Sequence, residues 1–177
     1  MALTSDIQKV RYGSTADHQP IEYAIGKGAS GQTLYRGSVA AISGGTTVTQ
    51  GYLKNMATPA STDVVVGILD GYGPSCGQAD TGPGMGGTVL NTADGVLTAT
   101  VVTGTFLLLA GTGSDALTIT NLQTNVYLIN EDTVGATSAG TRPVVGLLVQ
   151  VPATDASIPT GFVAVQLGSK NGPWGGV

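Results

Sequence analysis

A serine within a glycine-rich turn is the first residue in this chain that could do chemistry. The run GPSCG at 73–77 matches G-x-S-x-G, the turn that presents a nucleophilic serine in hydrolases. Such a turn needs a strand before Ser75 and a helix after it, yet the QADTGPGMGG that follows cannot form a helix. The partner histidine should also follow the serine, whereas His18, the only histidine, precedes it. The motif therefore predicts a surface turn and not a serine hydrolase.

A second pattern, made by Gly82, Gly84 and Gly87, matches the G-x-G-x-x-G of dinucleotide-binding loops. That function requires a helix directly afterwards, whose first backbone amides bind the pyrophosphate. The next residues are TVL, which favour a strand, so the pattern predicts a plain loop. Lys27 also lies between glycines, but outside the G-x-x-x-x-G-K-[ST] frame of a phosphate-binding loop.

The remaining candidates are an acidic pair and a single cysteine. Glu131 and Asp132 would point to opposite faces if they lay on a strand, and with Asn130 they predict a turn closed by side-chain hydrogen bonds. Cys76 has no basic neighbour in sequence to favour its thiolate, and as the only cysteine it cannot form an intrachain disulfide. We therefore expect no catalytic residue, no metal and no cofactor, and hence a protein that is not an enzyme.

Composition narrows the class of protein further. Only 10% of the 177 residues are charged, against about 25% in average proteins, while 28 are glycine. The seven lysines and arginines are scattered and the net charge is −4, so we expect no direct contact with nucleic acid. No apolar run is long enough to cross a bilayer, and the start, MALTSDIQKVRYG, lacks the charged-then-apolar pattern of a signal peptide, which predicts synthesis in the cytoplasm without membrane contact. Such a weakly charged surface is typical of a protein within an assembly.

The elements that must position these residues are short strands. Ile21–Ile25 alternates apolar and polar residues, whereas Val64–Leu69 and Pro143–Val151 are continuous apolar runs typical of buried strands. About ten such runs, with no helix of ten residues, predict an all-β fold, either a small β-barrel or a β-sandwich. We expect an irregular N-terminal arm at 1–20, one β domain at 21–168 with a long loop at 71–87, and a glycine-rich tail at 169–177.

Several local features are specific enough to test. We expect a hairpin in which Leu34–Ile42 and Thr46–Thr49 flank Gly44-Gly45, and strands at Thr88–Leu90 and Val96–Val102 on either side of a turn. Further strands are expected at Thr105–Ala110, Val126–Ile129 and Gly161–Leu167. One helical turn is expected within Asp115–Gln123, with Ile119 and Leu122 facing inward.

A short internal repeat accompanies these strands. The VVGI at 65–68 recurs as VVGL at 144–147, which indicates either two equivalent strands of a pseudo-repeated barrel or a chance match. Gly67, inside an apolar run, predicts a bulge or a close approach of another backbone.

Apolar residues in the arm, the long loop and the tail are candidates for contacts with a partner. Trp174 either anchors the tail in a neighbouring subunit or folds back on its own domain. The full set is Ile7, Val10, Tyr12, Pro83, Met85, Pro173 and Trp174.

A series of short motifs runs from Thr33 to Leu167: TLYRGSVAAISGG, VVVGILDG, VTGTFLLL, ALTITNLQTNVYLINEDTV, RPVVGLLVQV and GFVAVQL. In their order they resemble the capsid decoration, or cement, proteins that stabilise the heads of tailed bacteriophages. The positions that match the pattern of that family are Tyr127, Asp132, Thr133, Val134 and Gly146. The chain departs from the pattern in its extended 71–87 loop and its GPWGGV tail.

The resemblance implies a non-enzymatic protein that is made in the host cytoplasm and resides on the exterior of the virion. Such a protein binds the major capsid protein and neighbouring copies of itself, as a dimer or trimer, and reinforces the shell after expansion. Another virion component, such as a tail, neck or fibre part, is the alternative. A binding module unrelated to virions is a third interpretation, although only 5% aromatic residues count against a carbohydrate binder.

Overall fold

The computed structural model describes residues 20–27, 32–45, 48–72, 87–89 and 93–167. This part of the chain contains twelve β-strands and two single turns of 3-10 helix, at Gly113–Asp115 and Ile119–Asn121. The predicted all-β fold with a small β-barrel is confirmed. The strands are β1 (Ile21–Ala24), β2 (Gln32–Leu34), β3 (Val39–Ile42), β4 (Leu53–Lys54), β5 (Val64–Tyr72), β6 (Gly87–Val89), β7 (Thr98–Val102), β8 (Thr105–Ala110), β9 (Asn125–Leu128), β10 (Thr133–Gly135), β11 (Val144–Gln150) and β12 (Phe162–Leu167).

The strands form two five-stranded bodies and one small ribbon. The N-terminal sheet has the order β1-β7-β5-β3-β4, and the C-terminal barrel has the closed order β10-β8-β12-β11-β9. All neighbours in both are antiparallel except β10 and β8, which pair in parallel and close the barrel. The ribbon pairs β2 with β6.

The N-terminal sheet repeats the barrel strand for strand. The strands β1, β3, β4, β5 and β7 occupy the places of β8, β9, β10, β11 and β12, in the same chain order and with the same neighbours. Even the parallel closure has its counterpart, because an isolated parallel bridge joins Ile25 to Leu53 where Ala110 pairs with Val134. The next amide repeats too: that of Gly26 donates to Leu53 O at 3.0 Å, and that of Gly111 donates to Val134 O at 2.7 Å.

The bulges of the two bodies fall at the same positions. Against β3, the register of β5 skips Val66, and against β9 the register of β11 skips Val145. On the other side of the same two strands, Asp70 and Val149 are skipped. A bulge inserts one unpaired residue and bends its strand, so matched double bulges give both central strands the same curvature. The VVG repeat therefore marks two equivalent strands, which is one of the two interpretations that the sequence left open.

Glycine follows the first bulge in both strands because another backbone passes close by. A Cβ on Gly146 would lie 1.9 Å from the carbonyl oxygen of Gln166, and one on Gly67 would lie 2.4 Å from that of Val102. Both distances are far below van der Waals contact, so any side chain would push the neighbouring strand away. The close approach predicted at Gly67 is confirmed.

One hydrophobic core joins the two bodies. The interior of the barrel is filled by aliphatic side chains such as Leu128, Leu148 and Val165, together with Phe106. The same cluster includes residues of the N-terminal sheet, among them Ile68. A second cluster fills the inside of the N-terminal sheet, and a third covers the outside of β8 and β12. The amide of Val39, in β3, also donates to Glu131 O of the barrel at 2.7 Å.

The strand predictions were mostly right and the pairing predictions partly wrong. Thr105–Ala110 is a strand with the expected bounds. The expected hairpin is wrong, because Leu34–Ile42 is broken by a turn at Gly37 and β3 returns to Leu53–Lys54 instead of Thr46–Thr49. The two strands expected on either side of the 91–95 turn are present as β6 and β7, and β6 pairs with β2.

Two finer expectations also need correction. The 71–87 loop is shorter than expected, since its first two residues belong to β5 and Gly87 begins β6. Within Asp115–Gln123 the helical turn exists as a 3-10 turn, and Leu122 packs against the core as expected. Ile119 was expected to face inward but is 56% exposed, because the 3-10 turn places it on the solvent side.

Candidate functional site

Most of the sequence candidates lie outside the described residues. These are His18, Ser75, Cys76, Gly82 and Gly84, together with the partner-contact set Ile7, Val10, Tyr12, Pro83, Met85, Pro173 and Trp174. The acidic pair Glu131-Asp132 lies within the described part.

The acidic pair forms the predicted turn. The side-chain oxygen of Asn130 accepts hydrogen bonds from the amides of Asp132, at 3.2 Å, and Thr133, at 3.1 Å. The hydroxyl of Thr133 donates to Asp132 Oδ1 at 2.9 Å. Glu131 and Asp132 are both buried. The turn connects β9 to β10, and β10 is the strand that closes the barrel, so these polar groups hold the closure in register.

A buried ion pair lies at the base of the loop between β4 and β5. Lys54 Nζ is 2.8 Å from Asp63 Oδ2, and both side chains are fully buried. The carboxylate also accepts from the amides of Gly44, at 3.0 Å, and Ala60, at 2.8 Å, while Nζ donates to Thr58 O at 3.3 Å. A buried charge is tolerated only when it is paired and hydrogen-bonded in this way.

The equivalent loop of the barrel, between β10 and β11, is held by a different ion pair. Arg142 Nη1 donates to Asp115 Oδ1 at 2.7 Å and to Thr137 O at 3.2 Å. The hydroxyl of Thr137 donates to the same carboxylate oxygen at 2.5 Å. The Arg142 guanidinium, followed by the Thr137 hydroxyl, lowers the pKa of Asp115 below its usual value. A Cβ on Gly135 would lie 2.8 Å from the Asp115 side chain, so the carboxylate fits closely over this glycine.

Asp94 ties together two loops of the N-terminal sheet. Its carboxylate accepts from the backbone amide of Lys27 at 2.5 Å and from the hydroxyl of Thr49 at 2.7 Å. The Lys27 amide, followed by the Thr49 hydroxyl, lowers the pKa of Asp94. Lys27, whose glycine neighbours suggested a phosphate loop, thus offers its backbone amide to a carboxylate of its own chain.

These polar clusters share one chemical role. In each, side-chain oxygen atoms accept hydrogen bonds from backbone amides, hydroxyls or a single cation, and these bonds hold a turn or a loop in place. Among the described residues, no three histidine, cysteine or acidic side chains come together in a way that could hold a metal ion.

The surface with the clearest recognition chemistry is the outer face of the barrel on β9, β11 and β12. Cross-strand partners share a face, and Leu147 lies between Asn125 and Gln166, while Val144 lies beside Tyr127. Tyr127, Val144 and Leu147 are half-buried, and within the described part none of them belongs to a hydrophobic cluster. We refer to these five residues as the outer patch.

The same face of the N-terminal sheet is covered. Ile68 lies between Val39 and Val102, and Val65 lies beside Ala41. All five are buried, and all five belong to the core cluster that includes the barrel interior. The outer patch is therefore the barrel's counterpart of a face that the N-terminal sheet uses for contact.

Sequence reasoning missed both the outer patch and the Lys54–Asp63 pair. The patch could be found only by aligning the strands of the two halves, and the VVG repeat was the signal that pointed there. The ion pair has no sequence signal, since neither the run LKN nor STD differs from an ordinary polar loop.

Comparison with protein-family models, with curated proteins and with solved structures finds no match to this chain. Within the described ranges there is no helix long and apolar enough to span a bilayer.

Proposed function

We propose that this protein is a non-enzymatic virion structural protein that binds the outer surface of a phage head and stabilises the expanded capsid lattice. Its partners are then the major capsid protein and neighbouring copies of itself, and it resides on the exterior of the virion. The sequence resemblance suggests this function, and the β-barrel fold is compatible with it.

The observation that carries the proposal is the position of the residues that match the family pattern. Tyr127 lies in β9, Thr133 and Val134 begin β10, and Asp132 lies in the turn between them. Gly146 lies at the bulge of β11, against the backbone of β12. All five thus lie on three neighbouring strands of the barrel, β9, β10 and β11, or in the turn between β9 and β10, and this clustering supports the proposal.

The chemistry of the described polar groups supports a structural role. The carboxylates of Asp63, Asp94 and Asp115 hold loops in place, and 10% charged residues leave few groups for solvation. A protein that binds only the expanded lattice would stabilise it by its differential affinity for that state. Many weak contacts over the shell would add through multivalency.

The test is co-sedimentation of the purified protein with empty shells of the cognate major capsid protein, before and after expansion. We expect binding to expanded shells alone, saturating at a fixed ratio to the capsid subunit. Removing residues 168–177 should weaken this binding while the circular dichroism spectrum is retained. Binding to neither form of the shell would dismiss the proposal.

The tandem arrangement of two equivalent bodies favours one second candidate, a tail, neck or fibre component. Repeated modules that contact each other head to tail can build rings or fibres. Electron microscopy of labelled particles separates the candidates, since a label confined to the tail would identify the second and a label over the head the first.

A further inference from the structure

The outer patch differs from its N-terminal counterpart in polarity as well as in burial. The covered face consists of Val39, Ala41, Val65, Ile68 and Val102. The outer patch keeps an apolar centre of Val144 and Leu147, with Tyr127, Asn125 and Gln166 around it and no charged residue. An apolar centre with a polar rim is typical of surfaces that associate reversibly, whereas an entirely apolar face is typical of permanent contact.

The barrel residues that share a core cluster with the covered face also have equivalents in the N-terminal sheet. At the start of β8, Phe106 is 1% exposed and belongs to the shared core, together with Leu167 at the end of β12. Because β8 and β12 are antiparallel, these two residues lie at the same end of the barrel, where the Leu167 amide donates to Gly104 O.

We call the equivalent end of the N-terminal sheet the open end, because its described side chains are partly exposed. Ile21 occupies the place of Phe106, since it pairs with Val101 as Phe106 pairs with Val165. Ile21 is 37% exposed, and Thr103, in the place of Leu167, is also partly exposed. Within the described part of the chain, the outer patch on one body and the Ile21 end on the other are thus the equivalents of the two sets of residues that share the core, and both are partly exposed.

We propose that the outer patch of one copy docks on the Ile21 end of a second copy, and so repeats between chains the contact that the two bodies make within one chain. The second copy is the occupant because the equivalents of these two surfaces already share one hydrophobic core within the chain. Joining different surfaces makes the contact heterologous, so it produces rings if the rotation closes and fibres if it does not.

This inference rests on the self-association within the proposed function but not on capsid binding. The first measurement is sedimentation velocity of the full chain alone, without shells, over a range of concentrations. We expect the mean mass to rise with concentration, in a ring-forming or open series. A chain that remains monomeric up to about 1 mM, the weakest affinity worth attributing to a specific contact, would overturn the proposal.

Two variants then test the two surfaces separately. Leu147→Lys places a charge at the centre of the outer patch, and Ile21→Asp places one at the open end. Each should raise the dissociation constant by about tenfold or more, equivalent to roughly 1.4 kcal/mol. Val96→Lys, at a 57% exposed position outside both surfaces, is the matched control and should associate as the natural chain does. Circular dichroism checks that each variant is folded, and Tyr127→Ser replaces Leu147→Lys if that variant does not fold.

Mixing the two variants distinguishes a heterologous contact from a symmetric one. The Ile21→Asp chain keeps its outer patch, and the Leu147→Lys chain keeps its open end, so together they can form one contact and no more. At a concentration where each variant alone is monomeric, we expect the mixture to form a one-to-one dimer that does not extend. If the mixture stays monomeric there, or if Ile21→Asp alone associates as tightly as the natural chain, the proposed pairing of surfaces is wrong. Shell binding by the monomeric variants is measured separately, so that loss of self-association and loss of capsid binding remain distinct results.

Discussion

The N-terminal sheet and the C-terminal barrel share five strands, their order, their parallel closure and both bulges, yet they stabilise the same loop with opposite chemistry. In the sheet, Asp63 lies directly before β5 and pairs with Lys54 out of contact with water. In the barrel, Arg142 precedes β11 by one more residue and pairs with Asp115, with the two side chains 21% and 15% exposed. In both bodies an ion pair fixes the loop that precedes the central strand. The charged residue before that strand differs in sign, Asp63 in one body and Arg142 in the other, and it differs in burial.

The two bodies also differ in what covers them. The barrel lies against the outer face of the N-terminal sheet and leaves its own equivalent face half-exposed. A duplicated module can therefore use one face for folding and the equivalent face for recognition. Substitutions at matched positions of the two bodies measure how far the equivalence holds.

The largest effect is expected at the buried ion pair. Asp63→Ala leaves the Lys54 ammonium buried without its partner and should lower the free energy of unfolding by about 3–5 kcal/mol. Urea unfolding followed by circular dichroism measures this. The double variant Lys54→Met/Asp63→Leu removes both charges and should recover most of the loss, because an apolar pair fills the same space. A loss below about 1 kcal/mol for Asp63→Ala would mean that water reaches this pair, as it does exposed pairs.

The next effect compares the glycines at the two bulges. Gly146→Ala and Gly67→Ala each bring a methyl group into backbone atoms of a neighbouring strand and should each cost about 3 kcal/mol. Gly140→Ala, with a left-handed φ of 72° and nothing within 4 Å, is the control and should cost about 1–2 kcal/mol. Thermal unfolding of the three variants gives the comparison. Unequal losses of stability at Gly67 and Gly146 would show that the two bulges contribute differently to stability, although their register is the same.

A smaller effect is expected at the partly exposed pair of the barrel. Arg142→Ala should lower the free energy of unfolding by about 1 kcal/mol, since solvent screens the pair. The pKa of Asp115 is lowered in the folded protein, so its contribution is fully present above the unfolded value of about 4 and is lost as the pH falls through the folded value. Urea midpoints at pH 7 and in the acid range should therefore converge between the natural chain and Asp115→Asn. A constant difference across that range would contradict the assignment.

The smallest effect is expected where the repeat itself suggests a substitution. Asp70 and Val149 are the equivalent bulged residues, and Asp70 forms a surface ion pair with Arg36 at 3.0 Å, with both side chains 41% exposed. Asp70→Val copies the barrel residue into the sheet and should change the free energy of unfolding by less than about 0.5 kcal/mol. A larger loss, seen in the same urea titration, would mean that the pair holds the turn at Gly37 in place.

Strands could be predicted where neighbouring residues in the sequence determine both their boundaries and their burial. Thr105–Ala110 is apolar throughout most of its length and lies between Gly104 and Gly111, so both its ends and its burial could be predicted. The turn at Asn130 was predictable because its hydrogen bonds join residues two and three positions apart. Gly67 was recognisable because a glycine within a buried apolar strand usually marks a bulge or a close approach of another backbone.

Features that depend on distant partners could not be predicted. Gly44-Gly45 indicated a hairpin, but the returning strand is Leu53–Lys54, two residues long and half made of a lysine. The residues next to Lys54 and Asp63 in the sequence do not indicate that the two form a buried ion pair. The equivalence of the two bodies left only one continuous identical run, VVG, in the strands, since other matched positions hold residues as different as Lys54 and Gly135.

Because the two bodies share one core, the order in which they are synthesised has a consequence for folding. The N-terminal sheet leaves the ribosome first, and its outer face, with Val39, Val65 and Ile68, is covered only once the barrel has formed. Residues 105–167 take about 3–13 s to synthesise at typical rates of about 5–20 residues per second. During those seconds the nascent chain exposes the apolar face that later joins the two bodies.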